Sequence, residues 1–230
     1  MAISDDFSAS ADIFAVIGQT ADGGPAGKAP VVWGQQSLMR ANASKNDIDR
    51  KYVTVLVIEI VNPLHAFGGI DPELILRQID PLLESAREVI ELNGGVISTS
   101  GESGITAIFG TLPASQHHAL SASRAALVVK YKLELQSNGS IRVRAGLDTG
   151  EVIVQHRSAT NQIEVMGSAV RTATRLAQSL RRGAVAITVR TRVAADGLLN
   201  VVRLSRSDLI RFDGDEQAYE LKKCKFRCIT

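Results

Sequence analysis

The chain of 230 residues has few of the features that most directly narrow a protein's class. Cysteine occurs only at Cys224 and Cys228, so disulfides cannot provide a framework for the domain. Aromatic residues make up 4% of the sequence and the formal net charge is +2, so neither a basic nucleic-acid-binding surface nor a highly charged disordered chain is expected.

Membrane and export signals are also lacking. No apolar run approaches the ~20 residues needed to cross a bilayer. Asp5 and Asp6 stand near the N-terminus, where a secretory signal has basic residues followed by an apolar core. We therefore expect a cytoplasmic protein with no membrane span and no nucleic-acid partner.

Apolar residues, at 45%, suffice for the core of one domain of ordinary size. Residues 1–50 are small and polar and predict a flexible N-terminal arm, although its short apolar groups could dock on the domain or on a partner. Residues 51–221 form the predicted domain. Residues 222–230 predict a basic C-terminal tail; the two cysteines there could instead form half of a metal site, but the chain offers no second pair.

Hydrophobic periodicity and turn residues predict alternating strands and helices in the domain. The predicted elements are, in order, a strand at 52–59, a helix from 72 that ends at 93–95, a hairpin of strands 96–98 and 104–109, a helix at 116–136, a second hairpin of strands 141–148 and 151–154, a helix at 168–180, a strand at 184–188, a short helix at 191–196, and strands at 201–204 and 217–221. This order predicts an α+β fold of the ferredoxin-like kind, with a mixed, mainly antiparallel sheet and helices covering one face.

Two details of the helices can also be predicted. Pro81 should kink or split the first long helix, because proline removes a backbone hydrogen bond and clashes with the preceding turn. His117 and His118 head the second helix with no acid or cysteine at ligand spacing, so both are expected to be solvated.

The first predicted strand is an apolar run broken by a single carboxylate, Glu59. Burying an unpaired charge is costly, so this acid is expected at the end of the strand, facing a metal, a partner or solvent. On the pattern alone, the simplest interpretation is an ion pair with a nearby arginine.

Several segments, in a fixed order from Lys51 to Leu221, resemble one known family. They are Tyr52-Val53-Thr54-Val55-Leu56-Val57, Gly94-Gly95-Val96, Ala107-Ile108-Phe109-Gly110, the run RVRAGLDTGEV from Arg142 to Val152, Met166-Gly167-Ser168-Ala169-Val170 with Ala173, Arg175 and Leu176, and Gln217-Ala218-Tyr219-Glu220-Leu221. Together they resemble the class III nucleotidyl cyclase catalytic domain, found in adenylate and guanylate cyclases.

The resemblance implies a two-metal site between two subunits. In the family, two aspartates, one at the end of the first strand and one in the following hairpin, hold two divalent metals that activate the ribose 3′-hydroxyl and clamp the triphosphate. An asparagine and an arginine, four residues apart on a helix of the other subunit, orient the ribose and stabilise charge at the reacting phosphorus.

At the metal positions this chain departs from the family pattern. Glu59 stands at the first position and is one methylene longer than aspartate, which a small octahedral Mg²⁺ site tolerates poorly. At the second position an ungapped alignment, which we favour, places Ser103, whereas one extra residue places Glu102. Asn62 and Pro63 replace residues that wrap the phosphates, and Pro63 has no N–H to donate. Any bound metal is expected to be Mg²⁺ or Mn²⁺, and the site could hold none.

The remaining implied site positions are altered as well. Arg171 stands at the asparagine position and Arg175 at the arginine position, and two cations one helical turn apart repel each other unless an anion lies between them. Thr99 replaces the lysine expected in adenylate cyclases. Glu164 replaces the aspartate or threonine that selects the purine, and its carboxylate could still accept a hydrogen bond from an adenine amine.

Two functions are compatible with these residues. The favoured hypothesis is a degenerate cyclase domain, a nucleotide-binding or regulatory pseudo-cyclase that dimerises with itself or with another cyclase domain. The alternative is an active or weakly active adenylate cyclase that converts ATP to cyclic AMP and pyrophosphate, with Glu59 and Glu102 as metal ligands and Arg175 at the transition state. Since about 1.36 kcal/mol of barrier is tenfold in rate, several altered positions together favour the first hypothesis.

Overall fold

The computed structural model describes residues 48–61, 72–101, 104–111, 117–157, 162–180, 183–205, 207–209 and 217–225. Of the predicted arm, residues 1–47 lie outside this part of the chain, and residues 48–50 already belong to the first strand. The elements are β1 Ile48–Val61, α1 Pro72–Leu92, β2 Gly95–Gly101, β3 Gly104–Phe109, α2 His118–Gln136, β4 Arg142–Arg157, β5 Gln162–Met166, α3 Ser168–Ser179, β6 Val185–Thr188, α4 Val189–Ala194, β7 Leu199–Arg203 and β8 Ala218–Cys224.

The strands form one sheet with β1 and β4 at its centre. Its order is β2-β3-β1-β4-β6-β8-β7, and β5 pairs with residues 153–157 of β4. The β4–β6 pair is parallel, and the other pairs of described strands are antiparallel. The prediction of an α+β fold with a mixed, mainly antiparallel sheet is therefore confirmed.

The two faces of the sheet pack against different helices. Because side chains alternate along a strand, Leu56 and Ile58 of β1 join the core formed with α1 and α2. Val55 and Val57 face the other way and pack with alanines of α3, among them Ala173. Helices α1 and α2 thus cover one face of the sheet, as predicted, and α3 covers the opposite face.

Strand β4 differs from the prediction. The second predicted hairpin is wrong, because residues 142–157 form one continuous strand. Thr149 and Gly150, which resemble a turn in sequence, pair with Thr54 and Val53 of β1 inside the sheet. Gly150 packs under α3, and a Cβ added to it would lie 3.6 Å from the Ala169 Cβ. The hairpin forms later, between the end of β4 and β5.

Helix α1 begins and ends where the sequence predicts. Pro72 occupies its first position, which proline tolerates, and Gly94 follows it with φ of +80°, a conformation that favours glycine. Pro81 lies inside the helix without splitting it, and Ile79, Leu82 and Leu83 around it are buried in the core. None of the described helices is both long and apolar enough to cross a lipid bilayer.

The expectation of solvated histidines is wrong for His118 at the start of α2. Its Nδ1 lies 2.8 Å from the Thr54 Oγ1 on β1, in a partly buried position, and its ring meets the Tyr52 ring edge-on at 6.2 Å. Burial lowers the pKa of His118 below its ordinary value. The sequence does not reveal this contact, because Thr54 is 64 positions away along the chain.

Strand β8 extends three residues into the predicted basic tail. Cys224 closes this strand and is buried among the core residues, and burial raises the pKa of its thiol to about 11. A buried, protonated thiol is a poor metal ligand. Cys228, the other cysteine of the possible metal half-site, lies outside the described residues.

Candidate functional site

Glu59 lies near the end of β1, with Arg144 of β4 directly opposite and Gly104 of β3 on its other side. Arg144 Nη2 donates to Glu59 Oε2 over 3.2 Å. The two side chains are 22% and 21% exposed, so water screens this pair only in part. The ion pair that the sequence pattern suggests for Glu59 is therefore present, and its partner is Arg144.

Arg144 also holds the end of helix α3. Its Nη1 donates to the backbone carbonyls of Gln178, at 3.2 Å, and Leu180, at 3.1 Å. The last carbonyls of a helix have no partner within the helix and attract cations. One guanidinium thus connects β1, β4 and α3, while its buried Nε has no hydrogen-bond partner among the described residues.

The backbone beside Glu59 is closely packed. A Cβ on Gly104 would lie 2.5 Å from the Ile58 carbonyl oxygen, so only glycine fits at this point of β3. The two residues before it, Glu102 and Ser103, are the alternative second metal positions and lie outside the described residues. Asn62, just after β1, does so as well.

The described residues do not match a two-metal site. Among them, no group of three or more histidine, cysteine, aspartate or glutamate side chains lies close enough together to hold a metal. Glu59, the one described candidate ligand, has its charge opposed by the Arg144 guanidinium at 3.2 Å. The guanidinium contacts Glu59 Oε2 and competes with a cation for this carboxylate, so no reaction step through a metal is derived.

Arg171 and Arg175 lie on α3, one turn apart, and both are exposed. The helix is fixed by close packing over β4, where a Cβ on Gly146 would lie 2.2 Å from the Ala173 carbonyl oxygen. The two arginines therefore project from a firmly held element. Arg144 contacts both the last carbonyls of α3 and the Glu59 carboxylate. Glu59, at the implied metal position, therefore lies close to the C-terminal end of the helix that carries the two arginines.

Thr99 on β2 and Glu164 on β5 lie far apart in the order of the sheet. The sheet nevertheless curls so that β2 and β5 touch, and the Ser98 hydroxyl donates to the Ile163 carbonyl over 2.9 Å. Thr99 and Glu164 each lie one residue from this hydrogen bond. Thr99 is exposed and Glu164 is half-buried.

Sequence reasoning did not single out Arg144, although it stands in a segment that carries the family resemblance. Glu59 and Arg144 are 85 residues apart, and their pairing depends on the register between β1 and β4. A cross-strand pair of opposite charges is the signal that could reveal it, but that signal requires the neighbouring strand to be known.

Comparisons with known proteins bear on this fold. The adenylyl cyclase CyaB from P. aeruginosa is 17% identical, with a TM-score of 0.67, and the match covers 78% of this chain and 97% of that one. The guanylate cyclase domain of RhGC from Catenaria anguillulae, solved in complex with GTP, is 20% identical, with a TM-score of 0.68 and coverage of 77% and 100%. The guanylyl cyclase Cya2 is 21% identical, with a TM-score of 0.65 and coverage of 76% and 94%.

At identities this low, the structural matches show a shared fold alone. No curated protein sequence matches the chain. The family itself is shown by a sequence model. Residues 47–222 match the model of the adenylate and guanylate cyclase catalytic domain. This match covers most of the 230 residues and includes every strand and helix described above except the last residues of β8. The chain therefore belongs to the family of adenylate and guanylate cyclase catalytic domains.

Proposed function

We propose that this cyclase domain is catalytically degenerate and acts as a nucleotide-binding or regulatory pseudo-cyclase in a dimer with itself or with another cyclase domain. The observation that supports this most directly is the Glu59–Arg144 ion pair at 3.2 Å. A carboxylate that is partly buried against a guanidinium has a lower affinity for a metal, because the metal must compete with the arginine for it.

The other altered positions support the same proposal. Mg²⁺ requires near-ideal octahedral geometry, and Glu59 places its oxygens one methylene further out than aspartate does. Arg171 stands where the family has a neutral amide, and Arg175 is its exposed neighbour one turn away. A cation in place of an orienting amide removes the hydrogen-bond acceptor that an amide offers to the ribose.

An exposed apolar face supports dimerisation. On one side of the sheet, Ile48 and Tyr52 of β1, Ile153 of β4 and Met166 of β5 are 64%, 57%, 38% and 51% exposed. The register places Ile153 between Met166 of β5 and Arg50 of β1. On the same face, the exposed Arg50 side chain pairs with Glu151 at 3.7 Å. Exposed large apolar side chains grouped with charged ones on one face are typical of a protein interface. The dimeric guanylyl cyclase domain of RhoGC is among the structures similar to this chain.

Nucleotide binding is proposed from the contact between β2 and β5. The family resemblance places Thr99 and Glu164 at the base, and each is the next residue after one partner of the Ser98–Ile163 hydrogen bond. Glu164 retains a carboxylate acceptor for an exocyclic amine, as in adenine. The guanylate cyclase domain of RhGC binds GTP on a similar fold, so ATP and GTP are both reasonable ligands to test.

The test is a cyclase assay of the full chain with ATP or GTP and with Mg²⁺ or Mn²⁺, in which cyclic nucleotide is measured. We expect no turnover, and nucleotide binding that does not depend on the metal. Metal-dependent turnover that is lost in Glu59→Ala and kept in Glu84→Ala would show an active cyclase instead. Glu84 is a matched control because it is an exposed glutamate of α1 that pairs with Arg87.

A further inference from the structure

A continuous chain of hydrogen bonds runs through the interior of the domain, away from Glu59. It starts at His118 on α2, crosses β1, β4 and β6, and reaches Arg190 on α4. The five side chains between these ends are at most 2% exposed; they are Thr54, Thr149, Thr191, Thr188 and Asp148. Buried polar groups of this kind require defined partners.

Asp148 fixes one end of this chain. Its Oδ1 accepts from the Thr149 backbone N–H at 2.9 Å, the Thr188 hydroxyl at 2.6 Å and Arg190 Nε at 3.0 Å. Its Oδ2 accepts from Arg190 Nη2 at 2.6 Å. An ionised carboxylate can only accept hydrogen bonds, so the single hydroxyl proton of Thr188 is committed to Asp148.

The remaining hydroxyl protons are assigned one after another, because each threonine has only one. With its own proton committed, the Thr188 oxygen can only accept, from the Thr191 backbone N–H at 3.3 Å and from the Thr191 hydroxyl at 3.4 Å. Thr191 in turn accepts from the Thr149 hydroxyl at 3.1 Å. The proton of Thr149 is then in use.

The last two contacts follow from this. Thr54 lies 2.8 Å from the Thr149 hydroxyl and must donate to it. Thr54 therefore has no proton left for His118, whose Nδ1 lies 2.8 Å from the same oxygen. This contact is a hydrogen bond only if the ring nitrogen donates.

We propose that the buried Asp148 sets the direction of this threonine relay and thereby holds neutral His118 in the Nδ1–H tautomer, with Nε2 as an acceptor. The relay couples the start of α4 to the start of α2 through the interior of the sheet. His118 is held beside Tyr52, a residue of the exposed apolar face. The inference does not depend on the proposed function, since it uses none of the residues at the implied cyclase site.

The tautomer can be measured directly by nitrogen NMR of the full chain labelled at histidine. The chain has four histidines, and His118→Gln identifies the signals of His118. Above its pKa, wild-type His118 is expected to show a protonated, pyrrole-type Nδ1 and a bare, pyridine-type Nε2. A solvated neutral imidazole prefers the opposite tautomer, so the reverse assignment in the wild type would overturn the proposal.

A substitution within the relay tests its direction. Thr149→Val removes the acceptor of Thr54, so the Thr54 hydroxyl becomes available to donate to Nδ1, and the two nitrogen signals should exchange types. Thr174→Val is the matched control, because Thr174 donates its hydroxyl to the Val170 carbonyl on α3, outside the relay. Unchanged His118 signals in folded Thr149→Val, or an equal change in Thr174→Val, would contradict the relay.

Thr149→Ser covers the possibility that the valine variant fails to fold. Serine keeps the hydroxyl, so the relay and the Nδ1–H tautomer should both persist. An exchange of the nitrogen signals in Thr149→Ser would therefore also contradict the proposal.

Discussion

At the scale of the residue, the Glu59–Arg144 pair leads to a prediction about stability. In a double-mutant cycle with Glu59→Gln and Arg144→Met, we expect a coupling of about 1 kcal/mol in the free energy of unfolding, measured with urea. The exposed pair Arg87–Glu84, at 2.8 Å with side chains 38% and 73% exposed, should show a coupling of about 0.5 kcal/mol or less, because water screens it more.

Arg144→Met alone should cost more than Glu59→Gln, by about 1–3 kcal/mol, since it also leaves the carbonyls of Gln178 and Leu180 without their donor. A metal titration would reveal the opposite role for Glu59. If Mg²⁺ or Mn²⁺ raised the melting temperature of the wild type and this rise disappeared in Glu59→Gln, Glu59 would be a metal ligand and not a structural acid.

Single residues also mark the limit of what the sequence can predict. The pattern indicates that Glu59 needs a partner, because an acid in an apolar strand is unstable alone. It cannot identify Arg144, nor the burial of His118 against Thr54, because both contacts join residues that only the folded sheet brings together.

At the scale of the element, the packing of α3 on β4 predicts the effect of one methyl group. A Cβ on Gly146 would lie 2.2 Å from the Ala173 carbonyl oxygen and 2.6 Å from the Ala177 nitrogen. Both atoms belong to helix backbone and cannot move aside singly. Gly146→Ala should therefore destabilise the domain by about 1–3 kcal/mol or more, as measured by thermal or urea unfolding.

Gly150→Ala is the matched control on the same strand. Its added Cβ would lie 3.6 Å from the Ala169 Cβ, an ordinary contact, and alanine reduces the freedom of the unfolded chain. We expect a change within about 0.5 kcal/mol. Equal losses in the two variants would mean that glycine is needed for backbone conformation and not for the close approach of α3.

The elements differ in how well the sequence predicts them. Helices α1, α2 and α3 follow from their periodicity and end signals, to within about two residues. Strand β4 does not follow from the sequence, since Thr149-Gly150 has the composition of a turn. In the structure these two residues are extended because they pair with β1, and α3 packs over Gly150. Strand β5 is missed for the same reason, because a hairpin placed too early leaves no partner for it.

At the scale of the whole molecule, the curl of the sheet matters more than any one element. It brings β2 to β5, where the Ser98 hydroxyl donates to the Ile163 carbonyl, and it leaves Ile48, Ile153 and Met166 on the outer part of β1, β4 and β5 exposed. The family resemblance predicts a nucleotide site and a dimer, whereas the order of strands and helices predicts neither. The proposed nucleotide position and the proposed partner surface thus both depend on how the sheet is bent.

The proposed dimer can be tested through that apolar face. We expect the full chain, of 24.6 kDa, to sediment as a dimer at micromolar concentration and to show a melting temperature that rises with protein concentration. Ile153→Lys places a charge in the centre of the face and should shift the sedimentation to the monomer. Val202→Lys, on the edge strand β7 and 52% exposed, changes another exposed apolar residue away from this face and should leave the dimer intact. A wild-type chain that stays monomeric alone but is captured by a second cyclase domain, again through Ile153, would support the heterodimer, and equal dissociation by both substitutions would exclude this face as the interface.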